Sequence, residues 1–320
     1  MREQARARLD ALAKPPGALG RLEDLAVQLC EIAGACPPPP AAPVEVYVFA
    51  GDHGVLAQGV SPWPQSVTAA MVRTFAAGGA AVNVLARQVG ASVVVVDVGV
   101  ATPVPGALDR NVRRGTADLT TGPAMSVSEA GAAFEVGRAL AAASTAGLLV
   151  TGDMGIGNTT PSACVIAALT GRSASEVTGR GTGIDDATLA LKAGIVERAA
   201  ARVRGADPMT VLAEVGGLEI AAIAGLVSGA RVPVVVDGVI ALAGLLVAAT
   251  IEPAVLTRVV AGHRSTEPGA SAVLDHLGLD PLLDLGMRLG EGTGALLAVP
   301  IVQAAARVIT EMAMIDDVLA

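Results

Sequence analysis

The chain has 320 residues, a length that suits one large α/β domain with an appendage. Hydrophobic residues make up 52% but aromatics only 2%, so the core must be aliphatic, built from Ala, Val, Leu and Ile. A formal charge of −8 argues against a nucleic-acid or anionic-membrane partner, so an anionic substrate would need local N–H groups and a few placed cations.

Residues 1 to about 35 read as helical, broken by K-P-P-G-A-L-G at 14 to 20 and resumed with Leu22, Leu25, Leu29 and Ile32 at helical spacing. The charged start M-R-E-Q-A-R-A-R lacks the apolar core of a signal peptide. Four prolines at 37 to 40 form a stiff linker into the main domain. The chain then alternates: a strand at 44 to 50, helix from about 64 to 89, a strand at 92 to 98, and helix from about 127 to 146. A strand ending at Val150 follows, then a helix from near Asn158, and further helices at 185 to 204 and 208 to 229. The run 232 to 237 is a strand with a helix after it, and 256 to 261 is another strand. Continuous β-branched runs separated by helices predict a parallel sheet covered on both faces.

The apolar stretch from Ala295 to Ile315 carries Gln303, Arg307 and Glu311 as one polar stripe, and Val239 to Ile251 is too short to span a bilayer. Both read as core helices of a cytoplasmic protein. With no strand beside it, the C-terminal helix is expected to join the N-terminal helices. The division is a small helical domain, 1–36 with 295–320, and a large α/β domain, 41–294. Cys30, Cys36 and Cys164 share no metal-ligand spacing with the three histidines and read as reduced thiols, so no metal or cofactor is expected. The 22 basic residues include two lysines, Lys14 and Lys192, leaving 20 arginines; each lysine is a candidate where a compact ammonium is needed.

In open parallel sheets ligands bind at the carboxyl ends of the strands. Five successive tips here carry Gly with acidic or polar residues (51 to 55, 97 to 99, 151 to 155, 237 to 239 and 261 to 269), which predicts one continuous pocket. At T-G-D-M-G-I-G-N-T-T, 151 to 160, a glycine-rich turn joins a strand to a helix N-terminus. Asp153 lies at the tip, Asn158, Thr159 and Thr160 are candidate caps, and Pro161 sits in the first turn. Unpaired N–H groups there suit a phosphate, although a plain tight turn has the same composition. The spacing is neither the P-loop nor G-x-G-x-x-G, so neither ATP nor a dinucleotide is implied.

Other segments carry paired readings. Asp52 and His53 could supply a general base or simply satisfy a loop. Trp63 and Gln65, in S-P-W-P-Q at 61 to 65, could flank a flat heterocycle or stiffen a helix start. G-R-G-T-G-I-D-D at 179 to 186 is a second Gly-rich turn in which Asp185 is a good N-cap, with Lys192 two turns on. H-R-S-T-E-P-G at 263 to 269 is another helix start, open to an anion or merely capped. Glu291, between two glycines in an apolar setting, would be partly desolvated and suited to proton abstraction, or it is an exposed turn glutamate, which its place between Leu289 and an apolar helix disfavours.

Taken together, K-P-P-G-A-L-G-R-L-E (14 to 23), G-D-H-G-V, S-P-W-P-Q, T-G-D-M-G-I-G-N-T-T-P, G-R-G-T-G-I-D-D, V-V-D-G-V-I, H-R-S-T-E-P-G and L-G-M-R-L-G-E-G-T-G-A resemble one family. It is the nicotinate-nucleotide:dimethylbenzimidazole phosphoribosyltransferase family, which makes the lower nucleotide loop of cobalamin. The resemblance spans nearly the whole chain in a single order. It implies a Rossmann-like parallel sheet with helices on both faces, a small helical domain from both termini, and a homodimer. It also implies that nicotinate mononucleotide and a benzimidazole are the substrates, with inversion at the ribose.

By this resemblance Glu291 is the general base, and Asp153 and Lys192 position the nucleotide. Ser61, Gln65, Met154, Gly155, Ile156, Gly157, Asn158, Thr159, Gly181, Asp237, Arg264, Ser265, Leu289 and Gly290 are the implied substrate-binding residues. Three positions depart from the family pattern. Asp153 stands where many members have Glu, Ala270 where His often follows E-P-G, and Trp63 where Tyr is more usual. Rival readings are another nucleotide or sugar-phosphate enzyme, of phosphorylase or kinase type, and a non-catalytic nucleotide-binding module. The first is disfavoured by the lack of a P-loop and of clustered Mg²⁺-type carboxylates. The second would have no use for a partly buried Glu291.

Overall fold

The computed structural model describes residues 1–320. Six strands form one sheet: β1 (Val44–Gly51), β2 (Ala91–Gly99), β3 (Leu108–Asp109), β4 (Leu148–Met154), β5 (Val234–Val236) and β6 (Val259–Ala261). Their order is β3-β2-β1-β4-β5-β6, and every pair is parallel. The order reverses between β1 and β4, the position where open α/β sheets leave a crevice at the strands' carboxyl ends.

The central strands carry apolar residues on both sides because both faces of the sheet are covered. In β1, Tyr47 and Phe49 enter one core while Val46, Val48 and Ala50 enter the other. β5 repeats the alternation, with Val234 and Val236 on the first side and Val235 on the second, the period of two that a pleated strand imposes. Helices Val127–Ala143, Thr159–Thr170, Leu218–Gly229 and Val239–Ile251 cover the first face. Two of them meet unusually closely: a Cβ on Gly137 would sit 1.8 Å from Ala222 O, and one on Gly225 would sit 1.8 Å from Phe134 O. Only glycine admits that approach, so the two backbones pack without intervening side chains.

On the second face lie Ser66–Ala76, Ala81–Val89, the N-terminal helices Arg2–Asp10 and Arg21–Ala33, and the long helix Thr293–Glu311. The helix at Arg21–Ala33 packs on both Arg2–Asp10 and Thr293–Glu311, and Gln28 Nε2 donates to Thr257 O and Val259 O at 3.1 and 2.9 Å. The apolar residues of this bundle are continuous with those beneath β1 and β4, and Thr293–Glu311 also touches β4 and β5. Two helical runs, Ser66–Val89 and Thr293–Glu311, are long and apolar enough to cross a membrane. The first is interrupted at Ala77–Ala80, and the second is buried along its apolar stripe.

Several boundaries differ from the sequence expectations. The helix expected over 64 to 89 is two, separated where Gly78 takes a left-handed conformation. The helix expected over 208 to 229 is also two, Pro208–Val215 and Leu218–Gly229, because Gly216 and Gly217 break it. Residues 253 to 258 form a 3₁₀ turn ahead of β6, not strand, with Pro253 starting it. β4 continues four residues past Val150, since Thr151 to Met154 pair with β1. β3 adds a strand beyond those expected; two residues carry no periodicity to detect.

Candidate active site

A cavity of about 480 Å³ opens at the carboxyl ends of β4 and β5. One wall is apolar, with Val60, Val67, Met71, Ile240 and Leu289, and Trp63, half exposed, at the mouth. The turn Asp153–Thr159 lines the cavity beside Val60, and the buried side chains of Glu291, Ser265 and Glu267 form the floor.

The turn after β4 reverses within three residues. Asn158 N–H donates to Gly155 O at 3.1 Å, and Gly157 takes the left-handed conformation that the reversal needs (φ 89°). Ile156 N–H donates to Thr68 Oγ1 at 3.1 Å, whereas the N–H groups of Gly157 and Thr159 find no acceptor in the chain. Both residues line the cavity, at the start of a twelve-residue helix, so the pair forms a ready anion cradle. Asn158 occupies the capping position, but its side chain does not cap. It turns back, and its Nδ2 donates to Asp153 Oδ2 at 3.0 Å.

Asp153 is 5% exposed, and its Oδ1 has no partner. Burial first, then the nearby Asp237 and Glu219 carboxylates, holds it well above the ordinary carboxylate range. Glu291 is also 5% exposed. Its backbone is left-handed at φ 65°, between Gly290 and Gly292 at 81° and 93°, a conformation that non-glycine residues resist. Burial pushes its carboxyl up, Val82 N–H works against that, and Asp237 adds to it. The turn rests on the tip of β4: a Cβ on Gly152 would lie 2.5 Å from Glu291 O.

Lys192 is 1% exposed and sits behind the cradle rather than in the cavity. Its Nζ donates to Thr159 Oγ1 at 2.7 Å and to Gly179 O at 3.0 Å, so one ammonium ties together the two Gly-rich segments. Burial lowers it to about 8, with Glu267 partly offsetting the shift. Glu267 is absent from the residues that the sequence points to. Its Oε1 accepts from Gly181 N–H at 2.8 Å, and it lines the cavity. Arg180 and Arg288 are further unexpected lining residues; they contact Asp186 and Gly181 O respectively. The Glu before Pro268 is the one available signal, and the sequence presents it only as part of a helix start.

Of the residues the sequence points to, Ser61, Met154, Gly155, Ile156, Gly157, Asn158, Thr159, Gly181, Ser265, Leu289 and Gly290 line the cavity with Asp153 and Glu291. Gln65, Asp237 and Arg264 do not. Gln65 is exposed at the start of Ser66–Ala76; Arg264 turns away to Ser271 Oγ at 3.1 Å; Asp237 is buried against backbone. Nor do five strand tips make one pocket. Asp52 and Asp97 are spent on turns, accepting from Ala101 N–H and Val100 N–H at 2.8 Å each. His53 lies behind Gly155, fully enclosed, with its Nε2 3.1 Å from Glu219 Oε1, close enough for an ion pair but not aligned as a hydrogen bond. It reaches no substrate space, so the general-base reading of His53 falls.

Lys14 lies outside the cavity, paired at 2.8 Å with Glu23, both nearly enclosed. It neutralises a buried carboxylate beside the N-terminal helices.

Comparison with known proteins shows the family. A family model described as phosphoribosyltransferase matches residues 1–318. A nicotinate-nucleotide–dimethylbenzimidazole phosphoribosyltransferase of Salinispora tropica is 53% identical, covering 96% of this chain and 91% of its own. One from Chloroflexus aurantiacus is 54% identical, covering 97% and 91%. The crystal structure of CobT from Thermus thermophilus superposes with a TM-score of 0.96 at 47% identity, over 100% of this chain and 98% of that one. The chain belongs to the nicotinate-nucleotide–dimethylbenzimidazole phosphoribosyltransferase family.

Proposed function

We infer that this enzyme moves the 5-phosphoribosyl group of nicotinate mononucleotide to 5,6-dimethylbenzimidazole or a related azole. The products are α-ribazole 5′-phosphate and nicotinate, as cobalamin nucleotide-loop assembly requires. The observation that carries the reading is Glu291, a desolvated carboxylate on the floor of a cavity whose other walls are an anion cradle and an apolar slot.

The chemistry asks for little else. One azole nitrogen attacks C1′ from the face opposite the nicotinate. The C1′–N bond to the pyridinium ring breaks, and its electron pair neutralises that ring, so the leaving group needs no acid. The azole's other nitrogen gives its proton to Glu291. The Gly157 and Thr159 N–H groups hold the phosphate, with Lys192 supporting Thr159 from behind. Asp153 orients the nucleotide from the wall of the same turn. Val60, Val67, Met71 and Trp63 supply a dry slot for the flat acceptor.

The test is chromatographic: purified protein with both substrates must form α-ribazole phosphate and release nicotinate. No product with any azole acceptor would sink the assignment. A homodimer in the cytoplasm belongs to the same reading; a monomeric mass in light scattering would remove the dimer.

A further inference from the structure

Asp237 follows β5 and is 1% exposed, shut off from the cavity. Each of its carboxylate oxygens accepts from backbone: Oδ2 from Gly292 N–H at 3.1 Å and Oδ1 from Ala295 N–H at 2.9 Å. Its own N–H donates to Thr151 Oγ1 at 3.1 Å, which ties the end of β5 to β4. His263 Nε2 stands 3.4 Å from Oδ1. Gly292 is the residue after Glu291, and Ala295 lies in the first turn of Thr293–Glu311, where N–H groups have no acceptor within the helix. Residues 290 to 292 are all left-handed, and such a run, with a glutamate in the middle, persists only where its surroundings hold it.

We propose that Asp237 is a positioning residue for the proton transfer, clamping the Gly290–Gly292 turn so that the Glu291 carboxylate is presented to the cavity floor. The inference rests on Glu291 being the base. The groups that face Glu291 are Asp237 from the end of β5, Asp153 from β4 and the Val82 N–H from Ala81–Val89; Glu219 acts on Asp153 from behind. Asp237 therefore acts in two ways, through geometry and through the effect of its nearby carboxylate, which strengthens the base.

The experiment compares steady-state kinetics of wild type, Asp237→Asn and Glu291→Gln across pH. Asn keeps the shape but presents an NH₂ to one of two backbone donors and removes the charge. Expected for Asp237→Asn are a fall in kcat of about 100-fold, a nearly unchanged KM for nicotinate mononucleotide, and an acid limb moved to lower pH. An unchanged kcat overturns the proposal. So does a raised KM at unchanged kcat, which would make Asp237 a binding group. A lower kcat with an unmoved limb would reduce it to scaffold and also overturns it. Wild-type turnover by Glu291→Gln would instead defeat the base assignment, independently of Asp237. Should Asp237→Asn not fold, Thr151→Val, which frees the Asp237 N–H, is expected to lower kcat about tenfold at unchanged KM. Wild-type kcat in that variant overturns the clamp.

Discussion

The Val82 N–H donates to Glu291 Oε2 at 3.4 Å, the one hydrogen bond the carboxylate receives. A carboxylate held by two or three donors is a poor base, because each donor stabilises the anion. One long bond from the start of a helix keeps Glu291 oriented and leaves its basicity high. Glu291→Gln should fold normally and lose about 100- to 10,000-fold in kcat, the usual contribution of a positioned base. The product-formation assay checks it, and turnover within tenfold of wild type refutes the role.

The same environment sets an acid limb. Burial and Asp237 raise Glu291 above its ordinary value of 4.5, so activity should fall with decreasing pH before that value is reached. A pH–rate profile with its acid limb at or below 4.5 would show that another group limits the reaction.

An alkaline limb should come from Lys192, which burial brings down to about 8. Below that pH the ammonium donates to Thr159 Oγ1 and Gly179 O; above it, the charge behind the cradle is lost. Lys192→Arg stays charged throughout this range. Its activity should be lower because the guanidinium is larger, yet show no decline near pH 8. A limb retained near pH 8 in the variant rules out Lys192 as its source.

Asp153 is held well above the carboxylate range, which favours its neutral, hydrogen-donating form. Asp153→Asn preserves both that character and the tether to Asn158, and is expected to stay within about tenfold of wild-type kcat/KM. Asp153→Ala removes both and should raise KM for the nucleotide. Equal damage from the two substitutions would mean that the negative charge is needed after all.

Behind Gly155, Glu219 faces His53 with no other charged partner in contact. Burial opposes a charged imidazole, but Glu219 and Asp52 outweigh it and raise His53 above its ordinary 6.5. The stabilisation is thus fully present below that value and is lost as pH rises through the folded-state value. His53→Ala leaves a buried carboxylate unpaired and should cost about 3–5 kcal/mol in urea unfolding. Wild-type stability that is flat from mildly acidic to alkaline pH would show the pair to be uncharged.

Much of the architecture is legible along the chain because its causes are local. The run Val93–Val96 is β-branched at every position, which suits only a strand covered on both sides. The Gly155–Asn158 turn declares itself by composition, and Glu291 stands out as the lone carboxylate in a stretch of glycines and apolar residues. Where contiguous helical propensity is the only cue, as over 64 to 89 and 208 to 229, the glycine breaks at Gly78 and at Gly216–Gly217 decide the outcome.

The division between cavity and scaffold has a different origin. Asp237, Lys192 and His53 have the residue types of a substrate site and lie beside its motifs, yet each turns toward backbone or another side chain behind the wall. Glu267, Arg180 and Arg288 reach the cavity from within the motifs, where nothing in the local pattern marks them apart from their neighbours. Residue type and local pattern name the chemistry: a phosphate cradle, an apolar slot and a base. Which side chain faces the substrate depends on how β4, β5 and the 290–292 turn pack together, although dozens of residues separate them in the chain. No local pattern encodes that packing, because the direction of each side chain is set by partners distant in the chain.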